Sequence, residues 1–194
     1  MLITSDFEVA QPIDKVWSFF DDIPQVAACL PGAELTDNLG DDNYAGKVLV
    51  RMGPVKLQFA GKAHIVERDA AAHRIVVDAA GAEEKGRGQA AMNITATLAA
   101  AGRGTKVAVV QDLTLSGAAA QYGRGMISDV TAVLMRDFAS RMQASIDAID
   151  RGLSPSQVAT GGSASGFAIG IRAAWMALSR VFRRFFVPYH ANAS

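Results

Sequence analysis

The sequence contains very little cysteine and histidine, the residues that most often build covalent cross-links and metal centres. Cys29 is the only cysteine among 194 residues, and the three histidines are His64, His73 and His190. A single thiol excludes an intramolecular disulfide and a cysteine-rich zinc site, and it favours a reducing compartment. The histidines lack the spacing of a metal-binding pair, so we interpret them as solvated side chains and Cys29 as a buried, inert thiol.

The sequence also lacks the patterns that most enzyme sites need. Glycines between residues 81 and 88 follow predicted strands but open no helix, so they do not form a phosphate-binding loop. The adjacent acids at 21–22, 41–42 and 83–84 are interpreted as solvated surface pairs rather than as a general acid and base. We therefore predict no catalytic residues, no metal ligands and no cofactor.

Acidic residues are absent after Asp150, although the whole chain carries nineteen acids and nineteen bases. Residues 1–150 hold all nineteen acids and fourteen bases, a net charge of −5, whereas residues 151–194 hold five arginines and no acid, a net charge of +5. This asymmetry suggests that the tail contacts a membrane or a nucleic acid. The N-terminus has no basic segment followed by an apolar run, so we expect no secretory signal and a cytoplasmic protein.

Hydrophobic spacing divides the body of the chain into a strand, a short helical region, a run of strands and a long helix. Residues 3–10 indicate a strand, and residues 12–20 place apolar side chains on one helical face. Apolar and polar residues then alternate through residues 33–115 in about six segments, which predicts an antiparallel sheet. Residues 117–151 predict a helix of about 30 residues. The fold class is therefore α+β, with six or seven strands.

The composition changes again after the long helix. Residues 152–166 are rich in Gly, Ser and Ala, which is typical of a flexible linker. We therefore divide the chain into a folded domain (1–151), a linker (152–166) and a C-terminal segment (167–194).

The C-terminal segment is predicted to be a basic amphipathic helix that binds the membrane. Four arginines argue against a helix that spans the bilayer. At ~100° per residue these arginines fall within one arc of about 120°, opposite the apolar and aromatic side chains. Such a helix lies in the membrane interface and is attracted by anionic lipids. The membrane-binding residues are Phe167, Ile171, Arg172, Trp175, Leu178, Arg180, Phe182, Arg183, Arg184, Phe185 and Phe186.

An alternative for the same segment is a helix that packs its apolar face on the domain or on another protomer. The long linker argues against it, because a core helix rarely needs a tether. Nucleic-acid binding is disfavoured, since the body is acidic and phosphate contacts would not explain the aromatic face.

Short motifs along the body of the chain resemble those of a known family. They are Pro-Ile-Asp-Lys-Val-Trp-Ser-Phe-Phe at 12–20, Cys-Leu-Pro-Gly-Ala at 29–33, Tyr-Ala-Gly-Lys-Val at 44–48, Gly-Pro-Val at 53–55, Phe59, Gly61, Gly86, Gly88, Gly117 and Gln-Tyr-Gly-Arg-Gly at 121–125. In these motifs and in its element order the sequence resembles the CoxG family, which are carbon monoxide dehydrogenase G-subunit-like proteins of the START-like (SRPBCC) superfamily. The resemblance implies the helix-grip fold, in which a curved antiparallel sheet wraps a long C-terminal helix around an apolar cavity.

The resemblance also implies a function. CoxG-like proteins are associated with molybdenum hydroxylases such as carbon monoxide dehydrogenase, so we expect a non-catalytic protein that recruits such an oxidoreductase to the inner face of the cell membrane. A hydrophobic molecule such as menaquinone, ubiquinone or another lipid is the expected cargo. The family brings no catalytic residues to carry over.

The expected cavity would be lined by apolar side chains, with Gln121 and Tyr122 offering a hydrogen bond to a ligand carbonyl. Each of these side chains also fits an ordinary core. The candidates are Trp17, Phe20, Leu30, Met52, Phe59, Met92, Gln121, Tyr122, Met126, Val130 and Leu134.

Two other functions stay open from the sequence. START-like folds also host cyclases and hydrolases, and titratable residues with shifted pKa values converging in the cavity would favour an enzyme. A scaffold, with the cavity filled by side chains and the tail helix bound to protein, is the third possibility.

Overall fold

Seven strands form one antiparallel sheet in the computed structural model, which describes residues 1–152. The strands are β1 (Leu2–Val9), β2 (Ala33–Gly40), β3 (Asn43–Met52), β4 (Val55–Asp69), β5 (Arg74–Glu83), β6 (Gln89–Ala101) and β7 (Gly104–Leu115). Their order is β1-β7-β6-β5-β4-β3-β2. Strands β2 to β7 are therefore sequential neighbours joined by short connections, while β1 pairs with β7 and forms one edge.

Two short helices follow β1, and one long helix follows β7. They are α1 (Ile13–Asp21), α2 (Ile23–Cys29) and α3 (Arg124–Asp150). Pro12 directly precedes α1, where its missing N–H costs nothing. The Asp22 carboxylate caps α2 by accepting a hydrogen bond from the backbone N–H of Gln25 at 3.1 Å.

The long helix begins at Arg124 rather than at residue 117. A 3-10 helix (Gly117–Gln121) comes first, because the chain packs closely against the β5–β6 turn at Gly117. The φ of Gly117 is +67°, and a Cβ there would lie 2.4 Å from the carbonyl oxygen of Arg87. The backbone N–H of Ala118 donates to that same oxygen at 2.6 Å. Only glycine fits this approach, so the approach places the start of the 3-10 helix against the β5–β6 turn.

The curved sheet with the long helix against one face confirms the predicted helix-grip architecture. The expected six or seven strands are seven. The predicted linker (152–166), apart from Gly152, and the predicted membrane-binding helix (167–194) lie outside the described residues.

The buried apolar side chains between sheet and helices form two separate clusters. The first packs the C-terminal half of α3 and both short helices against β1 and β4–β7, with Val16, Val107, Phe138, Met142 and Ile146 among its buried members. The second lies near the start of α3, and its buried members are Ile3, Met52, Leu57, Ala119 and Ile127. The core therefore supports the helix at two levels.

Hydrogen bonds hold the C-terminal half of α3 to the β1–α1 connection. The Gln143 side chain accepts from the backbone N–H of Ala10 at 2.6 Å, and Gln11 donates to Asp147 at 2.8 Å. Lys15 forms an ion pair with Asp150 at 2.6 Å. These contacts and the first cluster fix this end of the helix.

Met142 tests the importance of the first cluster, because its side chain is fully buried. We expect Met142→Ala to lower the free energy of unfolding by about 2–5 kcal/mol, through lost burial and a residual cavity. Val133→Ala, at a position on α3 that is 49% exposed, should change it by less than about 0.5 kcal/mol. Urea denaturation of the two variants measures the difference, and equal losses would contradict this account of the core.

Candidate ligand-binding site

The two apolar clusters leave a section of the interior between them, under the middle of α3. On the helix, Leu134 and Met135 are half-buried and belong to neither cluster. On the sheet, Met92 is also half-buried and outside both clusters. We call this part of the interior the central section. It is the candidate ligand-binding site, because clusters of buried apolar side chains pack the interior at both ends but not there.

The sheet carries very small side chains beside Met92. Ala79 lies directly opposite Met92 in the register and Ala63 opposite Ala79, while Gly61 and Gly81 face each other two residues further along. A Cβ at Gly61 would lie only 2.1 Å from the carbonyl oxygen of Ala80, so the close approach of β4 and β5 requires glycine there. The consequence is a surface of low side-chain volume on which an apolar molecule could lie.

The residues predicted to line the cavity are divided between these regions. Trp17, Phe20 and Leu30 belong to the first cluster, and Trp17 packs edge-on against His73 with ring centroids 5.5 Å apart. Met52, Phe59, Tyr122 and Val130 belong to the second cluster. Leu134 and Met92 lie at the central section, whereas Gln121 and Met126 are exposed. Their role in binding stays a prediction.

Sequence reasoning missed the polar residues that lie beside the central section. Gln111 is on β7 and only 6% exposed, and Ser5 is on the neighbouring strand β1. The alternation of residues along β7 could have predicted the burial of Gln111. Val107, Val109 and Leu113 face the core, and Gln111 lies on the same side of the strand. Gln111 is thus a polar residue among the core-facing side chains of β7. A buried polar side chain points to a functional role more strongly than an exposed apolar one does.

A depression of about 460 Å³, which shares Ala63, Ala79 and Met92 with the central section, lies mainly on the face of the sheet that turns away from α3. Most of its wall area is apolar, and Asn93 donates a hydrogen bond to Asp78 across it at 2.7 Å. Met92 contributes to this wall from the other side. The lining residues are Lys62, Ala63, His64, Asp78, Ala79, Ala80, Ala91, Met92, Asn93, Asp112 and Thr114. The depression is open to solvent, which does not match the enclosed site expected for a lipid.

Glu83 is buried, which corrects the prediction that the acids at 83–84 form a solvated pair. Its carboxylate accepts from the Arg87 guanidinium at 2.5 Å and from the backbone N–H groups of Lys85 at 2.9 Å and Arg87 at 3.2 Å. Arg87 also donates to the carbonyl oxygen of Lys56 at 3.0 Å. The hydrogen bond from Arg87 is the main reason that the pKa of Glu83 falls to about 2. This pair fixes the β5–β6 turn beside the second cluster.

Cys29 is buried in the first cluster, as predicted. Burial raises the pKa of its thiol, which keeps the sulfur protonated and unreactive. Of the histidines, His64 is exposed as expected, while His73 is half-buried against Trp17. Within residues 1–152, no three His, Cys, Asp or Glu side chains are grouped as a metal site. None of the helices described in that range is long and apolar enough to cross a membrane.

The amino-acid sequence that forms this sheet and long helix was compared with profiles of protein families. The family profile for the carbon monoxide dehydrogenase G subunit (CoxG) matches residues 6–147. The chain belongs to the CoxG family. The match covers every strand except the start of β1, and nearly all of α3. A search of curated proteins gave no match.

Solved structures show the same fold for this CoxG-family chain. It is similar to a conserved protein from Geobacillus kaustophilus, with a TM-score of 0.68, 18% identity, and coverage of 76% of this chain and 95% of that one. It is also similar to the Zhui aromatase/cyclase from Streptomyces sp. R1128, with a TM-score of 0.57, 14% identity, and coverage of 78% and 96%. Identities this low establish the fold and leave function to the site.

The Glu83–Arg87 pair predicts a specific dependence of stability on pH. The pKa of Glu83 is about 2 in the folded protein, below its ordinary value of 4.5. Its carboxylate therefore stabilises the fold fully above pH 4.5, and this contribution is lost as the pH falls toward 2. We expect Glu83→Gln to be less stable than the natural chain at pH 7, and to lose less stability between pH 5 and pH 2.5.

Urea unfolding of both proteins at each pH measures this difference. Glu8→Gln, which alters an exposed carboxylate on β1, is the matched control and should follow the natural chain. Parallel curves for Glu83→Gln and the natural chain would contradict the stabilising role of the pair.

Proposed function

We propose that this CoxG-family protein is a non-catalytic carrier of a hydrophobic ligand, bound between the sheet and α3. The ligand is a respiratory quinone such as menaquinone or ubiquinone, or a similar lipid. The observation that carries the proposal is the split core, because two apolar clusters flank a central section with small side chains on the sheet. An apolar molecule in that section would join the two clusters into one continuous core.

The charges of the interior support carriage over catalysis. Catalytic acids and bases need pKa values near the working pH. The buried acid Glu83 is instead held ionised by Arg87, with a pKa of about 2. The polar groups beside the central section are the amide of Gln111 and the hydroxyl of Ser5, and neither group ionises near neutral pH.

An enzyme acting on a hydrophobic substrate is the second candidate. The similarity to an aromatase/cyclase favours it, since that protein has the same fold. At 14% identity the similarity does not extend to a reaction. Cyclisation or hydrolysis of a hydrophobic substrate by the purified chain would support this candidate over carriage.

The second part of the proposal is recruitment. The family's name links it to carbon monoxide dehydrogenase, an oxidoreductase, and the partner that we propose is such an enzyme of the molybdenum-hydroxylase type. The basic residues 151–194 would bind anionic lipids of the inner face of the cell membrane, while the acidic body carries the ligand and contacts the enzyme. The protein would thus be cytoplasmic and peripheral on the membrane.

Ligand carriage predicts that the purified full-length chain contains a stoichiometric quinone or lipid after incubation with a bacterial lipid extract. Ala79→Phe places a large side chain on the inner face beside Met92, and it should lower the bound amount by about tenfold or more because it fills the site. Ala80→Phe, at the adjacent exposed position, is the matched control and should retain the ligand. Mass spectrometry of the organic extract measures both.

Two results would contradict carriage in the central section. An extract of the natural chain that contains no lipid would overturn the carrier function. If Ala79→Phe and Ala80→Phe bind equal amounts of ligand, the binding site lies in another part of the protein.

Membrane recruitment predicts that the full-length chain floats with vesicles of phosphatidylglycerol, and that a chain ending at Gly152 does not. Replacing Arg172, Arg180, Arg183 and Arg184 by Gln should weaken binding by about fivefold for each arginine. Circular dichroism of the shortened chain serves as the folding control. Flotation of a folded chain that ends at Gly152 would contradict the assignment of the tail.

A further inference from the structure

Gln111 places a primary amide in the interior of the domain. The residue is 6% exposed, and in the register it lies directly opposite Ile3 on β1 and Ile94 on β6. Both neighbours are apolar, so the sheet offers the amide no polar side chain directly across either strand. Burying an amide without good hydrogen bonds is costly, and proteins normally provide partners for such a group.

The partners of Gln111 and Ser5 are poor. The amide nitrogen of Gln111 donates to the thioether sulfur of Met135 at 3.7 Å, and such a sulfur is a weak acceptor. The hydroxyl of Ser5 is buried and has no hydrogen-bond partner among the described residues. Ser5 pairs with Val109 and is the diagonal neighbour of Gln111 across β1 and β7. Such diagonal neighbours are about 7–8 Å apart, so one small polar group can lie between them.

Two other polar groups buried in this domain, on Thr105 and Glu83, have strong partners. The hydroxyl of Thr105 donates to the carbonyl oxygen of Gln11 at 2.8 Å, and Glu83 accepts three hydrogen bonds from the β5–β6 turn. The fold thus satisfies these groups internally. Gln111 and Ser5 differ because they face the central section, where Met135 of α3 lies.

We propose that Gln111, with Ser5 beside it, is the polar anchor that orients the ligand in the central section. The inference rests on the proposed carrier function and deepens it by naming the ligand's recognised group. The amide nitrogen would donate to a carbonyl oxygen of the ligand, and the Ser5 hydroxyl would donate to the same or a neighbouring oxygen. A neutral carbonyl fits this pair, whereas a carboxylate or phosphate would need a cation to offset its buried charge.

This assignment differs from the hydrogen bond expected for Gln121 and Tyr122. Gln121 is exposed at the end of the 3-10 helix, and Tyr122 packs on the second cluster. The preferred ligand class is therefore an apolar molecule with a ring or head-group carbonyl that reaches the level of Met135.

Two probes of the same ring size test the anchor directly. Menadione carries two carbonyl oxygens, and 2-methylnaphthalene has the same methylated ring system without them. Calorimetric titration of the full-length natural chain and of Gln111→Leu gives the dissociation constant for each probe. Gln89→Leu, at an exposed position on β6, is the matched control.

We expect Gln111→Leu to weaken menadione binding by about three- to tenfold, and to leave 2-methylnaphthalene unchanged or bound more tightly. Without ligand, Gln111→Leu should melt at the same temperature as the natural chain or higher, by up to about 2–4 °C, because it removes a poorly bonded buried amide. Gln89→Leu should change neither constant.

The possible failures are distinguishable. Unchanged binding of both probes to Gln111→Leu would overturn the anchor and leave the carrier function standing. Equal weakening of both probes, or a lower melting temperature for the variant, would assign Gln111 a structural role instead and overturn the anchor. A natural chain that binds neither probe would overturn the carrier function for this ligand class, and the anchor with it.

Discussion

The packing of the C-terminal half of α3 against the inner face of the sheet is the interaction on which the rest of the described structure depends. A sheet with one apolar face needs a second layer to bury it, and here one helix supplies most of that layer. Phe138, Met142 and Ile146 provide the burial, while hydrogen bonds from the β1–α1 connection fix the same end of the helix. The direction of α3 across the sheet follows from this fixed end.

A helix fixed in this way runs over the inner face of the sheet, but it is packed tightly only where bulky side chains meet it. At the first turns of α3 the second cluster provides such contacts, with Ile127 buried and Ala119 buried in the preceding 3-10 helix. Between these levels, large side chains on the sheet would increase stability by burying more apolar area. Alanine and glycine stand there instead. The domain thus gives up stabilising burial at the level where the ligand is proposed to bind.

Position along the sheet explains why the buried polar groups differ in the strength of their hydrogen bonds. Glu83 lies at the end of the sheet, where the β5–β6 turn provides backbone N–H groups and a guanidinium, so its charge is neutralised inside the fold. Gln111 lies in mid-strand, where the backbone is already paired and the side chain that accepts its hydrogen bond is a thioether. An ionised acid with an arginine partner stabilises the fold, whereas a neutral amide with a weak partner is free to bind a ligand.

Much of the fold could be predicted from the sequence because it rests on local periodicity. Alternation along residues 33–115 determined the strands and which side chains share a face, and the helical stripe after Gly123 determined α3. The burial of Glu83 could not be predicted, because its partners belong to a turn whose geometry depends on Gly117, thirty-four positions along the chain. The split of the core, and the isolation of Gln111 beside Met135, were also decided only by the tertiary structure. Both depend on where α3 crosses the sheet, and that crossing is set by contacts between residues far apart in sequence, which no local pattern records.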